Sequence, residues 1–103
     1  MVDVAAFSRE FLDPERDRAL YVLRSIPPYV GRKNPVEDDV LGIQRRYREI
    51  SGENIRREEL SDYLGRLTGT RFIKEIQRQG FLFYSLTDKG HDMVEATAET
   101  VEI

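Results

Sequence analysis

The side chains best suited to bind another molecule lie between Arg66 and Arg78. In this stretch Arg71, Lys74 and Arg78 follow one another at steps of three and four residues, the spacing at which side chains share one face of an α-helix. Cations on such a face can contact phosphate oxygens or guanine edges, and threonine or glutamine can reach other bases. We therefore expect a double-stranded DNA interface made of Arg66, Thr68, Thr70, Arg71, Lys74, Gln77 and Arg78.

A helix over residues 68–79 would position these side chains. Phe72, Ile73 and Ile76 form an apolar stripe on its other side, and Gly80 supplies a C-terminal stop. A shorter helix over residues 56–64 precedes it, and Gly65 is placed to end that helix. The two helices predict a helix-turn-helix over residues 56–80, with the second helix in a major groove.

Two earlier helices complete the expected scaffold. Asp13 and Pro14 are typical of the start of the first one, and Pro27 and Pro28 end it. Asn34 and Pro35 are typical of the start of the second, in which Val40, Ile43 and Tyr47 repeat at helical spacing.

Further cations accompany the second helix and the turn after it. Arg45, Arg56 and Arg57 could contact DNA phosphates, but nearby acids, among them Glu49 and Glu58, could equally pair with them. The second helix and its turn therefore leave both interpretations open.

Charge is distributed unevenly along the chain. The whole sequence has 16 Lys and Arg against 19 Asp and Glu, a net charge of −3, which by itself argues against a nucleic-acid partner. Residues 44–80, however, hold nine cations and six acids. The expected interface is thus the basic part of an acidic chain, and its acids should lie away from Arg71, Lys74 and Arg78.

The residue types that most enzymes need are scarce. Cysteine is absent and His91 is the single histidine, which excludes thiolate chemistry and leaves one imidazole for any triad or metal centre. His91 is typical of a surface or packing position at the start of a helix. We expect no enzyme activity, no cofactor and no metal, and, because no apolar run is long enough to span a membrane, a cytoplasmic protein.

The segment after Gly80 resembles the winged-helix superfamily of DNA-binding proteins. In its MarR-like and PadR-like regulators a Gly-Phe or Gly-Leu step leads into a strand, and the next helix opens with Leu-Thr-x-x-Gly. Here Gly80-Phe81-Leu82 and Leu86-Thr87-Asp88-Lys89-Gly90 match. The run RRYREISGENIRREELSDYL is more loosely similar to the winged-helix domain of archaeal Orc1/Cdc6 initiators.

The length of 103 residues predicts a single domain over residues 1–103. The resemblance, which covers roughly residues 40–96, implies that this domain is mainly α and winged-helix-like, with four to five helices and a short or vestigial β wing. Ile55 would form a small first strand, and Phe81 to Ser85 leave no room for a full hairpin. The implied function is a DNA-binding transcriptional regulator. The alternative is a winged-helix adaptor that binds other proteins in a replication or transcription assembly.

A homodimer is expected because most helix-turn-helix regulators read two half-sites. Residues 4–12, with Phe7 and Phe11, and a last helix with Val94, Ala98 and Val101 could supply the seam.

Overall fold

The chain forms five helices and one β-hairpin within the part that the structure describes. The computed structural model describes residues 4–28 and 36–101, with side-chain burial assigned as far as Thr97. Its elements are α1 (Val4–Glu10), α2 (Glu15–Arg24), α3 (Val40–Ser51), α4 (Arg57–Gly69), β1 (Ile73–Arg78), β2 (Phe81–Leu86) and α5 (Asp88–Val101). The expected mainly helical fold is confirmed. No helix among these residues is long and apolar enough to cross a membrane.

The buried apolar side chains of the described residues form one cluster. Leu23 of α2, Ile43 of α3 and Leu64 of α4 are almost fully buried there. Phe72 joins the cluster from the start of the hairpin, and Met93 joins it from α5. Burial of these faces, rather than intrinsic helix propensity, supplies most of the stability of helices this short.

The prediction of a helix over residues 68–79 was wrong. The preceding helix does not end at Gly65, because its apolar positions continue through Leu64 to Leu67, which is fully buried, so α4 extends to Gly69. Arg71 then takes a left-handed conformation with φ of 69° and directs the chain into β1. The two helices that precede the hairpin are therefore α3 and α4, and most of the segment predicted as the second helix of a helix-turn-helix is β1.

A full hairpin takes the place of the vestigial wing. All six residues of β1 pair antiparallel with β2, from Ile73 opposite Leu86 to Arg78 opposite Phe81. Gln79 and Gly80 form the two-residue turn, with φ values of 51° and 85°, as a type I′ turn requires. The expectation that no hairpin fits was wrong because the second arm comes from residues assigned to the recognition helix.

The small first strand was also assigned to the wrong residue. Ile55 is a core residue, 4 % exposed, and its carbonyl accepts a hydrogen bond from the Gln44 side chain at 2.7 Å. It is Asp38 that bridges to the hairpin, through two backbone hydrogen bonds with Tyr84 of 3.0 and 2.8 Å. The chain before α3 thus lies along the outer edge of β2.

The start of α3 differs from the sequence prediction as well. Asn34 and Pro35 lie outside the described residues, and the first helical residue is Val40. The Asp39 carboxylate caps the helix by accepting the Gly42 N–H at 2.9 Å. The capping residue of α3 is therefore Asp39, five positions after the expected Asn34.

The Leu-Thr-x-x-Gly segment has a clear structural role. Leu86 is buried, and the Thr87 hydroxyl donates to the Arg71 carbonyl at 2.6 Å while accepting the Gly90 N–H at 3.1 Å. The Thr87 N–H donates to the Phe72 carbonyl at 3.2 Å. Thr87 therefore caps α5, as the sequence predicted, and ties that helix to the start of β1.

The turn of the hairpin can be improved by one substitution. Asparagine tolerates a positive φ better than glutamine and is favoured at the first position of a type I′ turn. We expect Gln79→Asn to raise the free energy of unfolding by about 0.5 kcal/mol, measured by urea denaturation. Gln77→Asn, inside β1, should bring no gain, and an equal gain there would contradict the turn explanation.

Candidate nucleic-acid interface and an adjacent apolar groove

The side chain of Arg66, the first residue of the expected interface, is bonded to acids within the fold. Its Nε donates to Glu10 at 2.9 Å, and its terminal nitrogens reach Glu15 at 3.3 Å and Asp62 at 3.4 Å. Its guanidinium also lies 4.5 Å from the centre of the Phe11 ring. The hydrogen bond with Glu10 is the main cause that raises the Arg66 pKa far above its ordinary value. Arg66 therefore joins α1 to α4 and is not available to DNA.

The two threonines of the expected interface bond to their own helix. The Thr68 hydroxyl donates to the Leu64 carbonyl at 2.7 Å, and the Thr70 hydroxyl donates to the Arg66 carbonyl at 2.9 Å. Both donors are satisfied at the end of α4, which removes them as base-reading donors.

Arg78 is held by an acid from outside the hairpin. Its Nε lies 2.8 Å from Glu37 Oε2, and a second nitrogen lies 3.0 Å from Glu37 Oε1. This two-point ion pair contradicts the expectation that acids avoid this face. The cause lies in the approach of residues 37–39 to β2, which brings Glu37 to the hairpin.

Three residues of the expected interface remain accessible, although they lie on a turn and a strand rather than on a helix. Arg71 follows α4, and Lys74 and Gln77 lie on β1. All three are exposed. The single cationic helix face that the spacing of Arg71, Lys74 and Arg78 predicted is therefore absent, since these residues lie on a turn and a strand.

Six cations in α3, α4, the turn between them and the start of the hairpin have no close partner among the described residues, although the charge of Arg45 acts on the Asp38 carboxyl. Their side chains are exposed and make no hydrogen bond or ion pair with any residue that the structure describes; they are Arg45, Arg48, Arg56, Arg57, Arg71 and Lys74. We call them the unpaired cations. Arg45, Arg56 and Arg57, expected as phosphate contacts, all belong to this set.

Most acids of the same segment are engaged. Glu49 pairs with Arg46, Glu59 with Arg18 and Asp62 with Arg66. Glu75 accepts the Tyr84 hydroxyl at 3.2 Å, and the pKa of that phenol is raised, first by burial and then by Glu75. Glu53 and Glu58 have exposed carboxylates outside these pairs. The segment from α3 to the start of β1 therefore has more exposed cations without a close partner than exposed acids without one.

An apolar groove lies between the N-terminal turns of α3 and α4 and the turn end of the hairpin. It is an open depression of about 470 Å³ and is lined by Asp39, Val40, Leu41, Arg57, Ser61, Gly80, Phe81 and Leu82. Leu41, Phe81 and Leu82 are 54 %, 68 % and 42 % exposed, which is high for large apolar side chains. The sequence analysis missed this groove; the signal for it was Phe81-Leu82 immediately after the Gln79-Gly80 turn, where side chains face solvent.

Three potential metal ligands lie together on α5. Ligand atoms of His91, Asp92 and Glu95 lie within 4.8 Å of one another, and His91 Nδ1 is 3.2 Å from Glu95 Oε1. The three side chains are solvent-accessible and one turn of one helix supplies them all. This spacing is common on exposed helix faces and carries no metal assignment.

The seam expected for a dimer is largely used inside the fold. Phe7 and Phe11 are 2 % and 0 % exposed and stack on each other at 4.9 Å, with Phe7 also 5.3 Å from Phe72. Val94 is 5 % exposed. Phe7, Phe11 and Val94 are therefore core residues and do not face a partner, whereas Val4 and Leu12 of the same expected seam are 50 % and 62 % exposed. The side chains of Ala98 and Val101 lie outside the described residues.

Comparison with protein-family models and with curated proteins identifies no relative of the chain. No family model matches the chain, and no curated protein matches it. The arguments on function therefore rest on the residues and their arrangement.

Proposed function

We propose that the protein is a winged-helix-like module that binds double-stranded DNA and regulates transcription. The observation that carries this proposal is the concentration of the unpaired cations on α3, the turn, α4 and the start of the hairpin. A helix-turn-helix followed by a hairpin is an arrangement in which the second helix approaches a major groove and the hairpin a minor groove. In this proposal α4, not residues 68–79, is the helix nearest the bases.

The contacts proposed are mainly with the DNA backbone. Arginine and lysine that neutralise phosphates release counterions, which gives affinity without sequence preference. The exposed positions of α4 carry two acids, Glu58 and Asp62, and one cation, Arg57, at the N-terminal end of the helix, so α4 offers little direct reading of guanine. We therefore expect weak discrimination between DNA sequences.

The test is a fluorescence anisotropy titration of a labelled random 20-base-pair duplex at several salt concentrations. Affinity should fall steeply with salt, and Arg71→Ala or Lys74→Ala should each reduce the slope of log Kd against log salt by about one unit. Arg78→Ala is the matched control, because Arg78 is paired with Glu37, and it should leave the slope nearly unchanged. No binding at low salt, or an Arg78 effect as large as the others, would overturn the proposal.

The apolar groove favours the second candidate, a protein-binding adaptor. An apolar depression with three exposed large side chains is unusual for a DNA-facing surface and typical of protein interaction sites. The two functions are compatible, and the groove is argued by itself below.

A further inference from the structure

The walls of the apolar groove expose large apolar side chains that an apolar occupant would cover. Leu41 contributes from the first turn of α3, Phe81 and Leu82 contribute from the hairpin, and Gly80 leaves room between them. An exposed phenylalanine beside a depression of about 470 Å³ gains stability when a partner covers it, because its apolar surface is removed from water. The volume is sufficient for a few side chains of a partner.

The size of the groove favours a short segment over a second folded copy. Eight residues line it, whereas a stable interface between folded proteins usually takes about 20–30 residues from each side. A single helix laid into a groove needs only two or three anchors at helical spacing. The groove therefore fits a helix of another protein better than another globular surface.

The hairpin edge at the groove disfavours a docked strand. The outward backbone groups of Tyr84 are taken by Asp38, and the Leu86 N–H donates to the Pro27 carbonyl at 2.7 Å. Backbone N–H and C=O groups alternate in direction along an antiparallel strand. Leu82 is therefore the residue of β2 whose outward backbone groups could still pair with an added strand. One residue cannot hold an added strand, which leaves side-chain contacts with a helix.

The charges around the groove select acidic occupants. Arg57 lines the groove and Arg45 follows Leu41 by one helical turn; both belong to the unpaired cations. The acid of the groove, Asp39, is engaged as the cap of α3 through the Gly42 N–H. Burial raises the pKa of the neighbouring Asp38 carboxyl above its ordinary value, and this side chain accepts the Asp39 N–H at 2.8 Å. Arg57 is therefore the charged side chain of the groove lining that makes no hydrogen bond or ion pair with the described residues, whereas the charge of Arg45 acts on Asp38.

We propose that the apolar groove docks an acidic amphipathic helix of a partner protein, with apolar anchors between Leu41, Phe81 and Leu82 and a carboxylate on Arg57. This interaction shares Arg57 with the unpaired cations, whereas the test of the proposed DNA binding relies on Arg71 and Lys74, which lie outside the groove.

The test is a selection of random 16-residue peptides displayed against the immobilised full chain, after which the selected peptides are compared on the Phe81→Asp variant. Phe81 is 68 % exposed, so this variant should fold, and circular dichroism with thermal unfolding checks that it does. Selected peptides should carry apolar residues three and four apart, with Asp or Glu between them, and should gain helical circular dichroism on binding.

Synthetic versions of the selected peptides are then titrated by anisotropy. Phe81→Asp should weaken binding by about 10-fold or more, and Arg57→Glu by about 10-fold. Lys74→Glu is the control with the same change of charge on a residue outside the groove, and it should change Kd by less than about 3-fold.

Three results would overturn the proposal. They are peptides that bind wild type and Phe81→Asp equally, selected peptides without acids whose Kd is insensitive to Arg57→Glu, and sedimentation showing self-association that Phe81→Asp abolishes. The last result would assign the groove to a second copy of this chain. A normal duplex titration alongside any of them would leave the DNA proposal standing, so the two can fail independently.

Discussion

Replacing Gly90 with alanine should lower the free energy of unfolding by about 3 kcal/mol. A β-carbon placed on Gly90 would lie 1.9 Å from the Phe72 carbonyl oxygen. That oxygen belongs to the backbone and also accepts the Thr87 N–H, so neither side of the contact can move by itself. Relief of the clash requires α5 to separate from the start of β1, which breaks the cap at Thr87 and exposes part of the core around Phe72.

The measurement is urea unfolding followed by circular dichroism, with Gly65→Ala as the matched control. Gly65 lies inside α4, and a β-carbon there would meet nothing within 4 Å. Alanine at this exposed helical position should stabilise the protein by about 0.5–1 kcal/mol. If Gly90→Ala were as stable as wild type, the close approach of α5 to β1 would be incorrect.

Replacing Arg66 with alanine should cost about 2–3 kcal/mol of the free energy of unfolding. The substitution leaves Glu10 and Glu15 without their partner, uncovers the Phe11 ring and frees the Glu10 carbonyl that Arg66 also bonds. Arg66→Lys should recover less than half of the loss, because one ammonium group cannot reproduce the planar fork that reaches several acceptors.

Arg78→Ala is the comparison for this second prediction. Arg78 also makes a two-point ion pair, but its side chain is 62 % exposed against 26 % for Arg66. Exposed ion pairs contribute at most about 1 kcal/mol. Urea unfolding of both variants should separate them clearly, and equal losses would show that Arg66 is an ordinary surface pair.

Local patterns were sufficient to predict the scaffold. The spacing of Ile43 and Tyr47 gave the helix that became α3, and the apolar residues around Leu23 gave α2. Thr87 was correctly predicted to begin the last helix. These elements depend on side chains that are close in sequence, which is why sequence reasoning found them.

The hairpin could not be predicted from the apolar residues of β1 alone. Phe72, Ile73 and Ile76 fit a helical stripe, yet pairing with β2 decides their conformation, since context overrides propensity in short segments. Gln79 and Gly80 between two apolar segments were the local signal for a hairpin turn.

The structure of the candidate interface differs from the sequence prediction because contacts between residues far apart in the chain decide which side chains are accessible. Arg66 meets Glu10 and Arg78 meets Glu37 across 56 and 41 positions of the chain, so no local pattern could show that these cations are taken. The unpaired cations and the apolar groove were equally hidden, since both are defined by which neighbours the fold brings near.

The ion pair between Arg78 and Glu37 gives the hairpin an attachment that depends on ionic strength. The arms are fixed at their base by Thr87 and along β2 as far as Tyr84, whereas the end that carries Phe81 has this exposed pair as its polar link to the rest of the described chain. Salt weakens exposed pairs but hardly affects buried contacts. The hairpin is thus fixed firmly at its base and weakly at its turn end, which forms one wall of the groove. In concentrated salt we expect this wall to move, while the walls formed by α3 and α4 stay in place.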